Sequence, residues 1–211
     1  MILTWKKEFN YSAINNFAVR EAQGEYLLFL NNDVEIITEN WLEEMLQLCQ
    51  QKDVGMVGAK LYYPDDTIQH AGVVVGLGGV AAHVLCKLPR DAEGYMGRLR
   101  CVQEISAVTA ACMMVKTSVF KAVGGFDEEL KVAFNDIDLC MKVRKYGVKI
   151  IFTPYAELYH YESKSRGMED TPEKQLRFSR EVNCFRRKWE RELLKGDPYY
   201  NPNLTKSEAK R

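Results

Sequence analysis

The sequence predicts an α/β fold, a mixed sheet flanked by helices with an amphipathic helix at its C-terminal end. Short apolar runs alternate with amphipathic stretches of helix length along most of the chain. The apolar runs end abruptly in polar or Gly/Pro clusters, as strands do when they deliver side chains to a sheet edge. With 211 residues, 46% of them hydrophobic, the chain can bury one sizeable core.

The elements follow in order. Residues 11–21 have mixed helical spacing, and "GEYLLFL" is a buried strand that stops at the polar cluster "NNDVE". "TENWLEEMLQLCQQ" is an amphipathic helix capped by Thr38 or Asn40, and "VGMVGAKLYY" is another apolar strand. The Gly-rich stretch 71–100 has no clean period and reads as a hairpin and a long loop over the sheet. "VTAACMMVK" is a buried strand, and "TSVFKAVGGF" a short helix stopped by Gly124 and Gly125. "NDIDLCMKVRKYG" places acids in the first turn of a helix, basic residues near its end and Gly147 as its stop. "VKIIFTP" is a strand closed by Pro154, and "PEKQLRFSREVNCFRRKWERELL" is one amphipathic helix followed by an aromatic tail. Residues 1–170 are therefore assigned to the main domain and 171–211 to a C-terminal helix and tail packed on it or extending from it.

Charge and cysteine content exclude several functions. Basic and acidic residues number 29 each, so no global field attracts nucleic acid, and an anionic ligand needs a local site. The six cysteines form no CxxC pair, which fits neither a zinc ribbon nor a redox motif and suits a reducing cytoplasm. No apolar run reaches the length of a membrane span, and neither GxGxxG nor GxxxxGK[ST] occurs, which argues against a generic α/β phosphate-binding protein.

Three constellations carry possible chemistry. Asn31, Asn32, Asp33 and Glu35 close the first apolar strand, where one carboxylate plus substrate phosphates suffices for a hard divalent cation. Asp136 and Asp138 lie two apart and cannot share a helix face, so one can enter a cleft while the other caps the helix or pairs with Arg144. His160, in "ELYHYES", gains interest if an acid partners it.

"FNYSAINN", "GEYLLFLNNDVEI", "AVTAACMMVK" and "VGGFDEELKVAFNDIDLCMKVRKYGVKIIFTPYAELYHYESKSRG" together resemble family-2 glycosyltransferases of GT-A fold, over nearly the whole chain. They are most similar to rhamnosyltransferase-like and O-antigen-type members that build bacterial surface polysaccharides. The resemblance implies inverting transfer of a sugar from a nucleotide-diphosphate donor to a glycan or lipid-linked glycan hydroxyl. By it, "NND" stands at the family's Asp-any-Asp signature, which makes Asp33, with His160, the holder of Mg²⁺ or Mn²⁺. "ND" of "FNDIDLC" stands at the Glu-Asp pair, which makes Asp136 the catalytic base. Asn31 and Asn135 depart from the family's usual acids. Asn16, Asn31, Asn32 and Arg166 fall on the donor side, and Gly124, Gly125 and Asp138 on the acceptor side; Arg166 could clamp phosphate or be a surface arginine.

The family's opening strands, which grip the nucleobase and ribose, have no counterpart before Phe9. The resemblance thus implies a fragment or truncated member with a free strand edge near residues 24–30. A catalytically deficient module that binds glycan, self-associates or docks on a larger polysaccharide synthase is the alternative. Either reading puts the chain in the cytoplasm, with the inner membrane face as a docking surface.

Overall fold

The computed structural model describes residues 1–162 and 171–204. In chain order it contains α1 (Tyr11–Glu21), β1 (Tyr26–Leu30), β2 (Val34–Ile36), α2 (Trp41–Cys49), β3 (Val54–Tyr62), β4 (Ile68–His70), β5 (Val73–Val75), β6 (Ala81–His83) and β7 (Gln103–Glu104). Then follow β8 (Cys112–Lys116), α3 (Thr117–Ala122), α4 (Asn135–Tyr146), β9 (Lys149–His160), α5 (Pro172–Lys188) and α6 (Glu190–Lys195).

The central sheet runs β1-β8-β3-β9-β2, with β4 added to β3 and β7 to β9. It is mixed as expected: β3 and β9 pair in parallel, whereas β1–β8, β3–β8 and β2–β9 are antiparallel. β5 and β6 form a separate hairpin. On one face α2 buries Trp41, Met45 and Cys49, a stripe spaced by four, against Val57, Leu61 and Leu158. The other face carries the larger core, in which Met56 and Phe152 of the sheet join Phe120 of α3, Val143 of α4 and Phe185 of α5.

Several local expectations are corrected. β9 does not stop at Pro154. Its pairing with β3 jumps from Gly58↔Phe152 to Lys60↔Glu157, so residues 153–156 form a bulge and the proline sits where no ladder N–H is needed. β1 is half-buried rather than buried: Leu28 and Leu30 are exposed, because β8 is its one strand neighbour among the described residues. β8 begins at Cys112, leaving residues 108–111 outside any strand. Neither expected cap acts on α2, since Thr38 Oγ1 accepts from the Glu157 N–H and Asn40 donates to Glu44. The long C-terminal helix breaks at Trp189 into α5 and α6.

Helix α4 is held from both sides. From α1, Ser12 Oγ donates to Leu130 O at 2.6 Å, and the Tyr11 N–H donates to Lys131 O at 2.8 Å. From α5, the buried Glu181 carboxylate accepts from Val132 N at 3.0 Å and Ala133 N at 2.9 Å, while Phe134 packs between Phe178 and Phe185. Phe134 itself takes a left-handed φ of 62°, a conformation that costs a non-glycine residue energy and survives because these clamps over-determine it. At the other end Gly147 closes the helix at φ 96°, the stop that its sequence announces. No helix among the described residues is long and apolar enough to cross a membrane.

Candidate active site

Pairing of β2 with β9 sets Val34 opposite His160, and the Tyr161 N–H donates to Asp33 O at 2.8 Å. Asp33 and His160 therefore meet: His160 Nε2 lies 3.2 Å from Asp33 Oδ1, with both side chains nearly buried. The imidazole is oriented from behind. Its Nδ1–H donates to Gln69 Oε1 at 2.7 Å, and Gln69 Nε2 donates back to His160 O at 3.1 Å. That tautomer makes Nε2 an acceptor, and Asn31 Nδ2 donates to it at 3.1 Å. Two acceptors, Nε2 and the Asp33 carboxylate, face each other, and a proton or a metal cation between them makes the contact favourable.

The pair fits a small octahedral cation. Adjacent ligands with bonds near 2.1 Å lie about 3 Å apart, close to the 3.2 Å separation here. No group of three or more His, Cys, Asp or Glu side chains that could hold a metal occurs among the described residues. Two protein ligands would leave positions for substrate oxygens and water, the usual arrangement for Mg²⁺.

Asp136 enters from the start of α4. Its Oδ2 accepts from Ala110 N at 3.2 Å and its Oδ1 from Ile137 N at 2.8 Å, so backbone donors fix the carboxylate without neutralising it. The segment 109–111 is the hub of the site. Ala111 O accepts from Asn31 N at 3.0 Å, Ala110 N holds Asp136, and Thr109 N donates to His70 Nε2 at 3.4 Å. Consecutive Cα atoms are about 3.8 Å apart, so three neighbouring residues bring the base candidate, the metal candidates and a further histidine round one turn. Tyr11 stiffens it by donating to Ala110 O at 3.1 Å; burial, and then the nearby Asp136 charge, push this phenol far above its ordinary value and keep it neutral.

Gln69, His70 and His83 escaped the sequence reading. The signal was composition: all three histidines of the chain, His70, His83 and His160, converge here, although His83 lies in a stretch without periodicity and His70 just before it.

Other expected residues lie elsewhere. Asp138 was expected at the acceptor side but is wholly buried, accepting from Trp189 Nε1 at 2.8 Å and pairing with Lys188 at 2.8 Å and Lys142 at 3.4 Å. Arg144 donates instead to Ser106 Oγ. Asn16, expected at the donor side, spends its amide on the Phe126 backbone, with bonds of 2.9 and 3.0 Å, and so braces the Gly124, Gly125 turn. Asn32 is exposed at the strand end. Arg166 lies outside the described residues.

Comparison with known proteins agrees with this architecture. Residues 2–181 match the glycosyltransferase-like family, and the chain belongs to the family-2-like glycosyltransferases. It is 56% identical, over 96% of its own length and 22% of the relative's, to an uncharacterised protein, y4gI, of Sinorhizobium fredii. It is 42% identical to the O-antigen biosynthesis protein RfbC of Myxococcus xanthus, over 96% of the chain and 16% of that protein. The chain thus spans about a fifth of the length of these relatives. The solved structures it resembles have the GT-A fold. One is a mannosyltransferase of Pyrobaculum calidifontis in complex with GDP-mannose and Mn²⁺, with TM-score 0.54 and 16% identity over 85% of this chain and 43% of that one. Another is GalNAc-T7 with UDP, GalNAc and Mn²⁺, with TM-score 0.58 and 13% identity over 79% of this chain and 33% of that one.

Proposed function

We propose that this chain carries catalytic residues of an inverting glycosyltransferase that moves a sugar from a nucleotide-diphosphate donor to a glycan hydroxyl in bacterial surface polysaccharide synthesis. The observation that carries the reading is the turn 109–111, which holds Asp136 through Ala110 N and, through Ala111 O, holds Asn31, whose amide reaches the His160 of the Asp33–His160 pair. The polysaccharide setting is supported by the names of relatives: RfbC, and over a 62-residue stretch at 34% identity an N-acetylglucosaminyl-diphospho-decaprenol L-rhamnosyltransferase of Mycobacterium tuberculosis, covering 29% of this chain and 20% of that one.

In the proposed reaction Asp136 takes the proton of the accepting hydroxyl. The hydroxyl oxygen bonds to the anomeric carbon from the face opposite the diphosphate, and the bond to the diphosphate oxygen breaks with its electron pair leaving on that oxygen. One displacement inverts the configuration, and one carboxylate suffices, unlike the acid pair of most glycoside hydrolases. Ala110 N and Ile137 N aim the base. Asp33 and His160 are the residues that would hold Mg²⁺ or Mn²⁺, with Gln69 fixing the tautomer whose Nε2 is an acceptor, and the Asn31 amide would give way there to the cation. When bound, the cation supplies positive charge to the departing diphosphate. A glycan or lipid-linked acceptor places the reaction at the inner face of the membrane.

The test is stereochemical. Transfer by this protein, followed by NMR of the product, should give the anomer opposite to that of the donor. A product of retained configuration, or no transfer from any nucleotide sugar tried, would overturn the reading.

A further inference from the structure

The hairpin β5–β6 brings a second imidazole pair to the hub, and its protons can be placed. Thr109 N–H points at His70 Nε2, so that nitrogen is an acceptor and the His70 proton sits on Nδ1. His70 Nδ1 lies 2.8 Å from His83 Nδ1, and one proton must lie between them. It belongs to His70, so His83 Nδ1 accepts and His83 carries its own proton on Nε2. His70 is completely buried, whereas His83 is half-buried and its Nε2–H bonds to no described residue.

The surroundings of that N–H select its ligand. His83 lies within electrostatic reach of Asp136, Glu162 and His160, and among the described residues it makes no hydrogen bond to any of them. Two carboxylates beside it disfavour a phosphate. A sugar hydroxyl suits the place, because it can donate to a carboxylate and accept from an N–H at once. The same backbone turn fixes both partners, Thr109 through His70 and Ala110 through Asp136.

We propose that His83 Nε2–H and the Asp136 carboxylate form a two-point clamp for a sugar hydroxyl, with His70 as the positioning residue that sets the His83 tautomer. This rests on the glycosyltransferase reading and names the acceptor side of the same site. His83 contacts the hydroxyl oxygen while Asp136 receives its proton, so a lone pair of that oxygen is turned toward the donor.

The experiment uses histidine ¹⁵N NMR on this chain with methyl α-D-mannopyranoside and methyl α-L-rhamnopyranoside as probes. His70 should show the Nδ1–H tautomer and His83 the Nε2–H tautomer, and a probe should shift the His83 Nε2 signal. His83→Asn keeps an acceptor for His70 but loses the outer donor, and should weaken probe binding about tenfold, the worth of one neutral hydrogen bond. His83→Gln, which restores a donor at the outer position, should recover most of that loss. The reverse tautomers, no shift at His83 at any probe concentration, or unchanged binding by His83→Asn would each overturn the clamp. Failure of the underlying reading is seen separately, as sugar transfer with retained configuration or none at all.

Discussion

His160 turns its Nε2 toward Asp33 at 3.2 Å while Gln69 holds its other nitrogen, so the orientation of the ring is set by a residue 91 positions away. Asp33→Ala should therefore remove the metal-dependent part of nucleoside diphosphate binding, measured by isothermal titration with Mn²⁺. Gln69→Leu leaves both ligands but frees the ring, and should weaken Mn²⁺ about ten- to a hundredfold. Wild-type Mn²⁺ binding in both variants would remove the pair from the metal site.

The two acids of α4 should separate cleanly. Asp136→Asn should abolish transfer with donor binding intact, because a base acts on the transition state more than on the ground state. Asp138→Asn breaks a buried charge network with Lys188 and Lys142, and should cost about 3 kcal/mol of stability in denaturant melts. Turnover surviving in Asp136→Asn but lost in a folded Asp138→Asn would reverse the assignment.

Gly125 has φ +67°, and a Cβ there would lie 2.7 Å from Asn16 Oδ1 and 3.0 Å from the Phe120 ring. Gly125→Ala should destabilise by about 2 kcal/mol, since it combines a left-handed backbone with a clash. An unchanged melting midpoint would show that the turn can rearrange freely.

Burial, reinforced by His83 and His160, holds His70 well below its ordinary value of 6.5, and burial also lowers His83. Below that value the unfolded chain binds protons that the native state refuses. Stability should fall as pH drops, by up to about 1.4 kcal/mol per pH unit for each histidine. Above it both states are neutral at these sites and the slope vanishes. Denaturant melts from about pH 7.5 to 5.5 check the sign; a flat or rising profile toward acid contradicts it.

Much of this was legible where sequence pattern and backbone geometry coincide. Asp33 and Asp136 stood out as candidates because one follows an apolar run and the other opens a helix that ends at Gly147, and their expected roles came from the family resemblance. His160 was suspected, but its strand was thought to end at Pro154, since a bulge that accommodates proline leaves no trace in periodicity. Gln69, His70 and His83 were hidden for a different reason. They sit on three-residue strands, β4 and β6, paired with the neighbouring β3 and β5, and three residues are too few to show an alternation. Asn16 and Asp138 look like site residues in a motif, and only packing reveals that the first bonds the Phe126 backbone and the second Trp189.

The two-sided clamp on α4 has a consequence for the order in which the protein is made. Ser12 finds Leu130 across 118 residues, and Glu181 reaches back 49 and 48 residues to Val132 and Ala133. During synthesis Asp136 leaves the ribosome before Glu181, Phe185 and Trp189 exist. The loop before α4 can be tied to α1 at that stage through Leu130 and Lys131, but the α5 side of the support for Phe134, namely Glu181, Phe178 and Phe185, is still missing. Contacts of long sequence separation form late, so the left-handed turn that leads into Asp136 should stay supported from one side only until α5 is made.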